Sequence, residues 1–309
     1  MQREFRRKDL LGIKELSREE IELICETAKS FKEILQRPIK VVPYLRGKTA
    51  CMLFFEPSTR TLNSFSLAAR SLSANVVSVS ASSSSVLKGE TLLDTAKNLE
   101  AMKVDFVIVR HSSPGAPHLL ARHLKASVIN AGDGCHEHPT QALLDILTIK
   151  EKFGTLDGLE ILIVGDILHS RVARSNIWGM TKMGAKVSVC GPPTLIPYGI
   201  EKTGVKVYYD LHEAIKDKDV IYVLRIQKER QRQGLFPSLR EYIKFYSITK
   251  DVVAKMKKGA VIMHPGPVNR GVELAPDVAD GEKSLILSQV TNGVAVRMAI
   301  FYLLSGKPA

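Results

Sequence analysis

The sequence predicts an α/β protein of two halves, built from parallel β-strands flanked by helices. Short apolar runs rich in Val and Ile alternate with longer segments of helical periodicity, a pattern typical of βαβ units. The chain has 309 residues, and at about 100–200 residues per domain this length favours two domains. The pattern leaves open whether the strands form one sheet or two.

Nine apolar runs are predicted to be buried strands, and most are bounded by Gly, Asp or Lys. They occupy residues 49–55, 76–79, 106–109, 128–129, 160–164, 186–190, 205–209, 220–224 and 260–263. Six of the eight residues from 78 to 85 are serine, and this composition predicts a loop.

The first helix is predicted to begin after a capping box, with Ser17 as N-cap and Glu20 at the third helical position. Apolar residues then recur at helical spacing, which indicates one buried face. They are Ile21, Ile24, Ala28, Phe31 and Leu35.

The boundary between the halves is predicted near residue 150. A helical pattern that follows residue 137 ends at Gly154, and the turn-like pair Asp157-Gly158 comes next. The domains are therefore expected at 1–150 and 151–286. An apolar helical segment at 290–305 ends the chain, with Gly306 as its stop signal.

Composition describes an ordinary globular protein with an excess of positive charge. Apolar residues make up 45% and charged residues 25%, which excludes a largely disordered chain. The net charge of +12 suggests an anionic partner, but it does not choose among nucleic acid, membrane and metabolite. A nucleic-acid-binding protein is disfavoured because no concentrated basic block or zinc-finger spacing occurs and aromatic residues are only 6%.

The four cysteines are widely spaced with no CxxC, which disfavours a disulfide framework and a structural zinc site. The cluster Cys135-His-Glu-His138 does not have the spacing of a closed zinc site, so neither a metal nor a cofactor is predicted. The basic N-terminus is followed by no apolar signal region, and no run of about 20 uncharged apolar residues exists. A cytoplasmic protein without a membrane partner is expected.

A candidate anion site follows the first predicted strand. Ser58 is placed to cap a helix whose first-turn N–H groups carry the positive end of the macrodipole. The hydroxyls of Ser58, Thr59 and Thr61 add donors, and Arg60 adds a bidentate fork, so the segment suits a phosphate dianion. An ordinary helix cap with a surface arginine explains the same residues equally well. Neither a P-loop nor a GxGxxG motif is present.

Five segments in order resemble the aspartate and ornithine carbamoyltransferases. FFEPSTRT at 54–61 resembles the carbamoyl-phosphate signature of that family. KGET at 88–91, VRH at 109–111, HPTQ at 138–141 and HPGP at 264–267 resemble further family motifs. The resemblance implies two Rossmann-like domains: a carbamoyl-phosphate-binding domain at 1–150 and an aspartate-binding domain at 151–286. It also implies that the C-terminal helix, from about 287 to 309, packs back on the first domain.

The second half of the sequence favours aspartate as the amino acid that accepts the carbamoyl group. Ornithine members of the family carry a Ser-Met-Gly loop and a His-Cys-Leu-Pro loop, whereas this chain has LRIQKER at 224–230 and HPGPVNRG at 264–271. Two substrate carboxylates need guanidinium forks, and the candidates are Arg171 and Arg225, with Gln227 as an amide partner. The resemblance implies an early step of de novo pyrimidine biosynthesis. Transfer to another acceptor such as ornithine, and a catalytically silent scaffold, stay open as alternatives.

The resemblance also implies a role for each site residue. Ser58, Thr59, Arg60 and Thr61 would hold the phosphate of carbamoyl phosphate. The carbamoyl end would meet Arg110, His138 and Gln141, with backbone carbonyls from Gly266 and Pro267 for its NH2 group. Ser84 and Lys88 would reach a neighbouring subunit's site, where Lys88 would also contact aspartate. The implied catalytic set is Arg60, Thr61, Lys88, Arg110 and His138.

Shared sites imply an oligomer, which the resemblance makes a homotrimer with possible further assembly onto regulatory chains or dihydroorotase. The motifs offer no obvious carboxylate base, so the departing phosphate is expected to take a proton from the amine. The chain departs from its relatives at Leu62, where a basic residue is common, and at Lys88, where two lysines often stand.

Overall fold

The computed structural model describes residues 5–80, 90–226 and 238–306, and the chain divides into two compact units. The first unit contains the described residues up to Leu147 together with those from Thr291 onward. The second unit spans Thr148–Val290. All nine predicted strands are confirmed, and they form two separate parallel sheets.

The sheet of the first unit has four parallel strands in the order β2-β1-β3-β4. The strands are β1 (Thr49–Phe54), β2 (Asn75–Ser80), β3 (Phe106–His111) and β4 (Ser127–Asp133). The helices are α1 (Arg18–Leu35), α2 (Thr59–Ser71), α3 (Leu92–Ala101) and α4 (Ala116–His123). The loop predicted from residue 78 is wrong at its start, because β2 continues through Ser80 by pairing with β1. Residues 81–85 lie outside the described residues.

The capping box of α1 is confirmed. The Glu20 N–H donates to Ser17 Oγ at 3.2 Å, and the Ser17 N–H donates to Glu20 Oε2 at 2.7 Å. Ile21, Ile24 and other apolar residues of the predicted face are buried. Burial of that face, rather than intrinsic propensity, supplies most of the stability of such a helix.

The sheet of the second unit has five parallel strands in the order β7-β6-β5-β8-β9. The strands are β5 (Glu160–Val164), β6 (Lys186–Cys190), β7 (Lys206–Tyr208), β8 (Val220–Val223) and β9 (Val261–Met263). The helices are α6 (Arg171–Lys182), α7 (Leu211–Ala214), α8 (Leu239–Tyr246), α9 (Lys250–Ala254) and α10 (Pro276–Ala279). One face of the sheet packs on a continuous apolar cluster that includes Ile221 and Ile262.

Each sheet has a point at which the strand order reverses. In the first unit β2 lies on one side of β1 and β3 on the other, and in the second unit β6 and β8 flank β5. Ligands of open α/β sheets bind outside the carboxyl ends of the strands at such a switch point. The fold therefore marks the ends of β1 and β3, and the ends of β5 and β8, as two candidate ligand positions.

The helices α5 (Pro139–Phe153) and α11 (Ile286–Leu304) complete the fold. The prediction that the C-terminal helix packs on the first domain is confirmed: the Phe301 ring contacts Phe65 and Phe106 edge-on, with centroids 6.0 and 5.2 Å away. By length and composition α11 could cross a membrane, with a mean hydropathy of 1.3 over its best window. However, 56% of that window is buried inside the protein, as expected of a core helix.

A buried cation joins three helices of the first unit. The Arg297 guanidinium on α11 donates to Ser64 Oγ on α2 at 2.9 Å and to Thr140 Oγ1 on α5 at 3.4 Å. It also lies 4.9 Å from the centre of the Phe65 ring. Burial lowers the pKa of Arg297 to about 10, with Asp145 opposing the shift, so the side chain stays charged at neutral pH.

We expect the Arg297→Ala substitution to lower the free energy of unfolding by about 3 kcal/mol, because it removes buried hydrogen bonds and leaves their partners unsatisfied. Urea unfolding followed by circular dichroism measures this. Arg122→Ala on the exposed last turn of α4 is the matched control and should change the free energy by less than about 0.5 kcal/mol. Equal losses in the two variants would show that the buried guanidinium has no special role.

Candidate active site

The predicted anion site lies at the carboxyl end of β1, where α2 begins. Ser58 is the N-cap of α2, and its Oγ accepts the Thr61 N–H at 3.4 Å, which confirms the predicted cap. Thr59 and Arg60 are exposed, while Thr61 is buried. The first turn of α2 contains no acidic residue. Exposed donors at a positive helix end therefore face solvent beside the first switch point.

Arg110 lies beside this helix start, near the end of β3. Its backbone pairs with Phe54 of β1, and its carbonyl accepts the Phe55 N–H at 2.8 Å. The Arg110 guanidinium donates to Glu56 Oε1 at 2.7 Å and to the Ala131 carbonyl at 3.2 Å. The structure thus places Arg110 at the same switch point as Arg60. The role of Glu56 as the carboxylate that orients Arg110 was missed from the sequence, although Glu56 stands in the quoted motif.

His111, the residue after Arg110, is a neutral support. Burial lowers the pKa of its imidazole, and Nδ1 accepts the Ser113 N–H at 2.9 Å. Its ring packs edge-on against Phe55, with centroids 5.3 Å apart. The third residue of the VRH motif therefore holds the backbone after β3 and adds no positive charge at neutral pH.

His138 and Gln141 lie at the start of α5, which follows β4 in the chain. Both side chains are buried, with exposed fractions of 5% and 8%. The Gln141 amide donates to Asp145 Oδ1 at 3.0 Å, which fixes its orientation one helical turn away. A strand end and a helix start thus present a buried imidazole and a buried amide in the same unit as Arg110.

The segment before His138 is held by two carboxylates that the sequence did not reveal as structural. Asp133 Oδ1 accepts the Asn130 amide at 2.9 Å and the Glu137 N–H at 3.1 Å. Glu137 Oε2 accepts the Ile13 N–H at 2.8 Å. The two carboxylates thus accept from the backbone N–H groups of Glu137 and Ile13. These buried hydrogen bonds hold the loop that leads to His138 in one conformation.

The two predicted carboxylate-binding arginines lie at the second switch point. Arg171 is the first residue of α6, after β5, and is buried with 4% exposed. Arg225 is half-buried and follows the end of β8 by two residues. Because β5 and β8 are paired parallel neighbours, the two residues follow strand ends at the same edge of one sheet. A cation at a helix start opposes the helix dipole, which favours a binding role over a structural one.

The HPGP segment forms a loop that is cross-linked internally. His264 Nδ1 accepts the Gly266 N–H at 2.8 Å, and its Nε2–H donates to Glu273 Oε1 at 3.2 Å. The same oxygen accepts the Asn269 N–H at 2.6 Å. The Asn269 amide in turn donates to the Ile226 carbonyl at 3.3 Å, next to Arg225. Glu273 was missed from the sequence, yet it organises this loop, which includes Pro267.

Glu273→Ala is expected to reduce stability by about 3 kcal/mol, since Glu273 and His264 have no exposed side-chain surface and the Glu273 carboxylate accepts two hydrogen bonds. Thermal unfolding measures this. Glu282→Ala, at an exposed turn position, should leave the melting temperature within about 2 °C. Glu273→Gln keeps an acceptor oxygen and should fall between the two. A Glu273→Ala variant with an unchanged melting temperature would show that Glu273 does not hold this loop together.

Three predicted site residues, Ser84, Lys88 and Gln227, lie outside the described residues. The others divide between the two units. The first unit contains Ser58, Thr59, Arg60, Thr61, Arg110, His138 and Gln141, and the second contains Arg171, Arg225, Gly266 and Pro267.

The fold defines a class of α/β proteins with two units, and each unit has one switch point that is flanked by candidate anion-binding side chains. Family models match both units: residues 8–151 match the aspartate/ornithine carbamoyltransferase carbamoyl-P binding domain, and residues 157–304 match the Asp/Orn binding domain of the same family. The chain therefore belongs to the aspartate/ornithine carbamoyltransferase family.

Individual relatives and solved structures are similar to this chain over nearly its full length. The chain is 63% identical over 302 residues to the aspartate carbamoyltransferase catalytic subunit of Moorella thermoacetica, covering 98% of each chain. Its fold is similar to aspartate transcarbamoylase from Trypanosoma cruzi in complex with carbamoyl phosphate and aspartate (TM-score 0.86, 30% identity, 95% of each chain). Ornithine carbamoyltransferase from Pyrococcus furiosus is equally similar in fold (TM-score 0.85, 33% identity, 97% of this chain and 98% of that one). Fold similarity at this level therefore does not distinguish the acceptors.

Proposed function

We propose that this chain transfers the carbamoyl group of carbamoyl phosphate to the amine of L-aspartate, giving N-carbamoyl-L-aspartate and phosphate. The carrying observation is the pair Arg171 and Arg225 at one sheet edge, because a substrate with two carboxylates matches two guanidinium forks. The 63% identity to a named aspartate carbamoyltransferase catalytic subunit supports the same acceptor.

The first unit is proposed to bind carbamoyl phosphate. The N–H groups at the start of α2, the hydroxyls of Ser58, Thr59 and Thr61, and the Arg60 guanidinium would hold the phosphate dianion. Arg60 would also stabilise the charge that builds up on the phosphate oxygens as the leaving group departs.

The carbamoyl end is proposed to meet Arg110, His138 and Gln141. Arg110 or His138 would donate to the carbonyl oxygen, which becomes an oxyanion in the tetrahedral intermediate. Donors held rigid before reaction cost no reorganisation, and the Arg110 contacts with Glu56 and Ala131 supply that rigidity. Backbone carbonyls of Gly266 and Pro267 would accept from the carbamoyl NH2 group.

The second unit is proposed to bind aspartate through Arg171 and Arg225, with Gln227 and Lys88 as further partners. The neutral α-amine would attack the carbamoyl carbon, forming the new N–C bond. The C–O bond to phosphate then breaks, its electron pair leaves with the phosphate, and the proton lost by the amine passes to that phosphate. Positioning and fixed positive charge would supply most of the rate enhancement.

The proposed setting follows from this reaction and from the family. The product would enter de novo pyrimidine biosynthesis, and the chain would act in the cytoplasm as a homotrimer, with Ser84 and Lys88 completing a neighbour's site. Further assembly with regulatory chains or dihydroorotase belongs to the same proposal. Free thiols at Cys25, Cys51, Cys135 and Cys190 fit a reducing compartment.

Competition between acceptors tests the function. Purified chain is given labelled carbamoyl phosphate with equimolar aspartate, ornithine and putrescine, and the labelled products are separated. We expect carbamoyl aspartate to dominate by at least about 100-fold, because ornithine has one carboxylate and putrescine has none, so neither can make both of the proposed carboxylate–guanidinium contacts. Preference for ornithine or putrescine would overturn the choice of acceptor, and absence of any product would overturn the enzymatic function.

A further inference from the structure

One group of metal-ligating side chains in the first unit lies outside the residues assigned to catalysis. His118, Asp133 and His136 each offer a ligand atom, and these three atoms lie within 4.8 Å of one another. His118 belongs to α4, Asp133 ends β4, and His136 stands in the loop that follows. We call these three residues the HDH cluster.

The carboxylate of the HDH cluster is held in place before any ion binds. Asp133 has no exposed side-chain surface. Its Oδ1 accepts from Asn130 and Glu137, and its Oδ2 accepts the Gly115 N–H at 2.7 Å. The Asp133 Oδ2 atom lies 3.0 Å from His136 Nδ1. When two ligand atoms each lie about 2.0–2.2 Å from one tetrahedral ion, the distance between the two atoms is slightly longer than 3.0 Å. A small rotation of His136, whose side chain is 41% exposed, makes that room.

His118 shows the arrangement of a metal ligand with a supporting carboxylate. Its Nε2 lies 3.1 Å from Glu15 Oε1. Its Nδ1 is buried and has no hydrogen-bond partner among residues 5–80, 90–226 and 238–306. A buried ring nitrogen without a partner is destabilising, and a bound ion would supply the missing partner. Metal-ligating histidines commonly donate their other ring N–H to a carboxylate, as His118 can to Glu15.

We propose that the HDH cluster binds a divalent first-row transition metal, with zinc the best fit. Two imidazoles and one carboxylate suit zinc, cobalt and nickel, whereas magnesium prefers oxygen ligands alone. Three protein ligands leave a fourth position for water. From the sequence no metal is predicted, because Cys135, His136 and His138 do not have the spacing of a closed zinc site. His118 and Asp133 lie outside that short segment, and only the fold brings them next to His136.

A bound ion would join α4, the end of β4 and the loop that leads to His138. The ion would thus add a cross-link to the segment already held by Asp133 and Glu137. Binding to the folded chain alone raises the melting temperature by mass action. The readouts are therefore affinity, stoichiometry and melting temperature, which do not depend on the proposed transferase activity.

Calorimetric titration of the chelator-treated full chain with zinc chloride tests the proposal. We expect one zinc per chain, a raised melting temperature and no effect of magnesium chloride. His118→Ala and His136→Ala should each weaken zinc binding by at least 10-fold. Glu15→Gln should weaken it by about 10-fold, as second-sphere carboxylates do. Asp133 is left intact because its substitution would strip the loop of its buried bonds.

Two matched variants keep the result interpretable. His123→Ala removes an exposed histidine from the same helix, and Cys135→Ser removes the thiol beside His136; both should bind zinc like the parent chain. Melting curves of each variant without zinc verify folding. No zinc binding by the parent chain, binding that survives both histidine substitutions, or binding lost in Cys135→Ser would each overturn the proposal.

Discussion

Replacing Arg60 with alanine is expected to lower kcat by about 10²–10³-fold, the usual cost of removing one preorganised charged donor from a developing anion. Arg60 stands in the first turn of α2, where its guanidinium adds to the N–H groups of a positive helix end. Because Arg60 is exposed, the fold should survive the substitution, and the melting temperature should stay within about 2 °C.

Steady-state kinetics with both substrates varied, together with phosphate binding by calorimetry, measure the effect of Arg60. Arg70→Ala is a close control, since Arg70 is an exposed arginine in the last turn of the same helix. It should retain full activity. Arg60→Lys should recover only part of kcat, because an ammonium is a point charge and not a bidentate fork. Near-normal turnover by Arg60→Ala would show that the phosphate does not bind at the start of α2.

Replacing Arg171 with alanine is expected to lower kcat/KM for aspartate by about 10²-fold or more, since truncating one partner of a buried charge pair costs about 2–5 kcal/mol. Phosphate binding should change little, because the proposed phosphate donors all belong to the first unit. A lower kcat/KM for aspartate with unchanged phosphate binding would therefore distinguish a lost aspartate contact from a general loss of folded protein.

Arg174→Ala is the control for Arg171, being an exposed arginine on the next turn of α6. Its kcat/KM should match that of the parent chain. Since Arg171 is 4% exposed, Arg171→Lys is included as the variant that keeps a buried positive charge. Unchanged aspartate kinetics in a folded Arg171→Ala variant would remove Arg171 from the acceptor site, and equal losses of aspartate and phosphate binding would indicate damage to the fold.

Local sequence patterns were sufficient for most of the architecture. The strands at 160–164 and 186–190 match at both ends, because each is a buried Val- and Ile-rich run with sharp polar borders. The Ser17 capping box and the Ser58 N-cap were also readable, since each involves residues only three positions apart. The start of the serine-rich loop was misjudged because serine composition says nothing about pairing with β1.

Contacts between residues that are far apart in the chain could not be predicted from the sequence. Glu56 is paired with Arg110 across 54 residues, and Glu137 bonds the backbone at Ile13 across 124 residues. A lone carboxylate in a sequence normally indicates a solvated surface position, so such residues carry no local signal. The HDH cluster is a further case, because β4 and α4 must pack before His118 can approach Asp133.

By itself the sequence determined the order and type of the elements, the capped helix whose donors suit a phosphate, and the motifs that resemble the carbamoyltransferase family. Each of these depends on a few neighbouring residues. Only the tertiary structure decided that nine strands form two sheets, and that Arg171 and Arg225 share one edge. It also decided which carboxylates hold the site residues. Strand order and buried ion pairs are set by packing between distant segments, and no local periodicity encodes that packing.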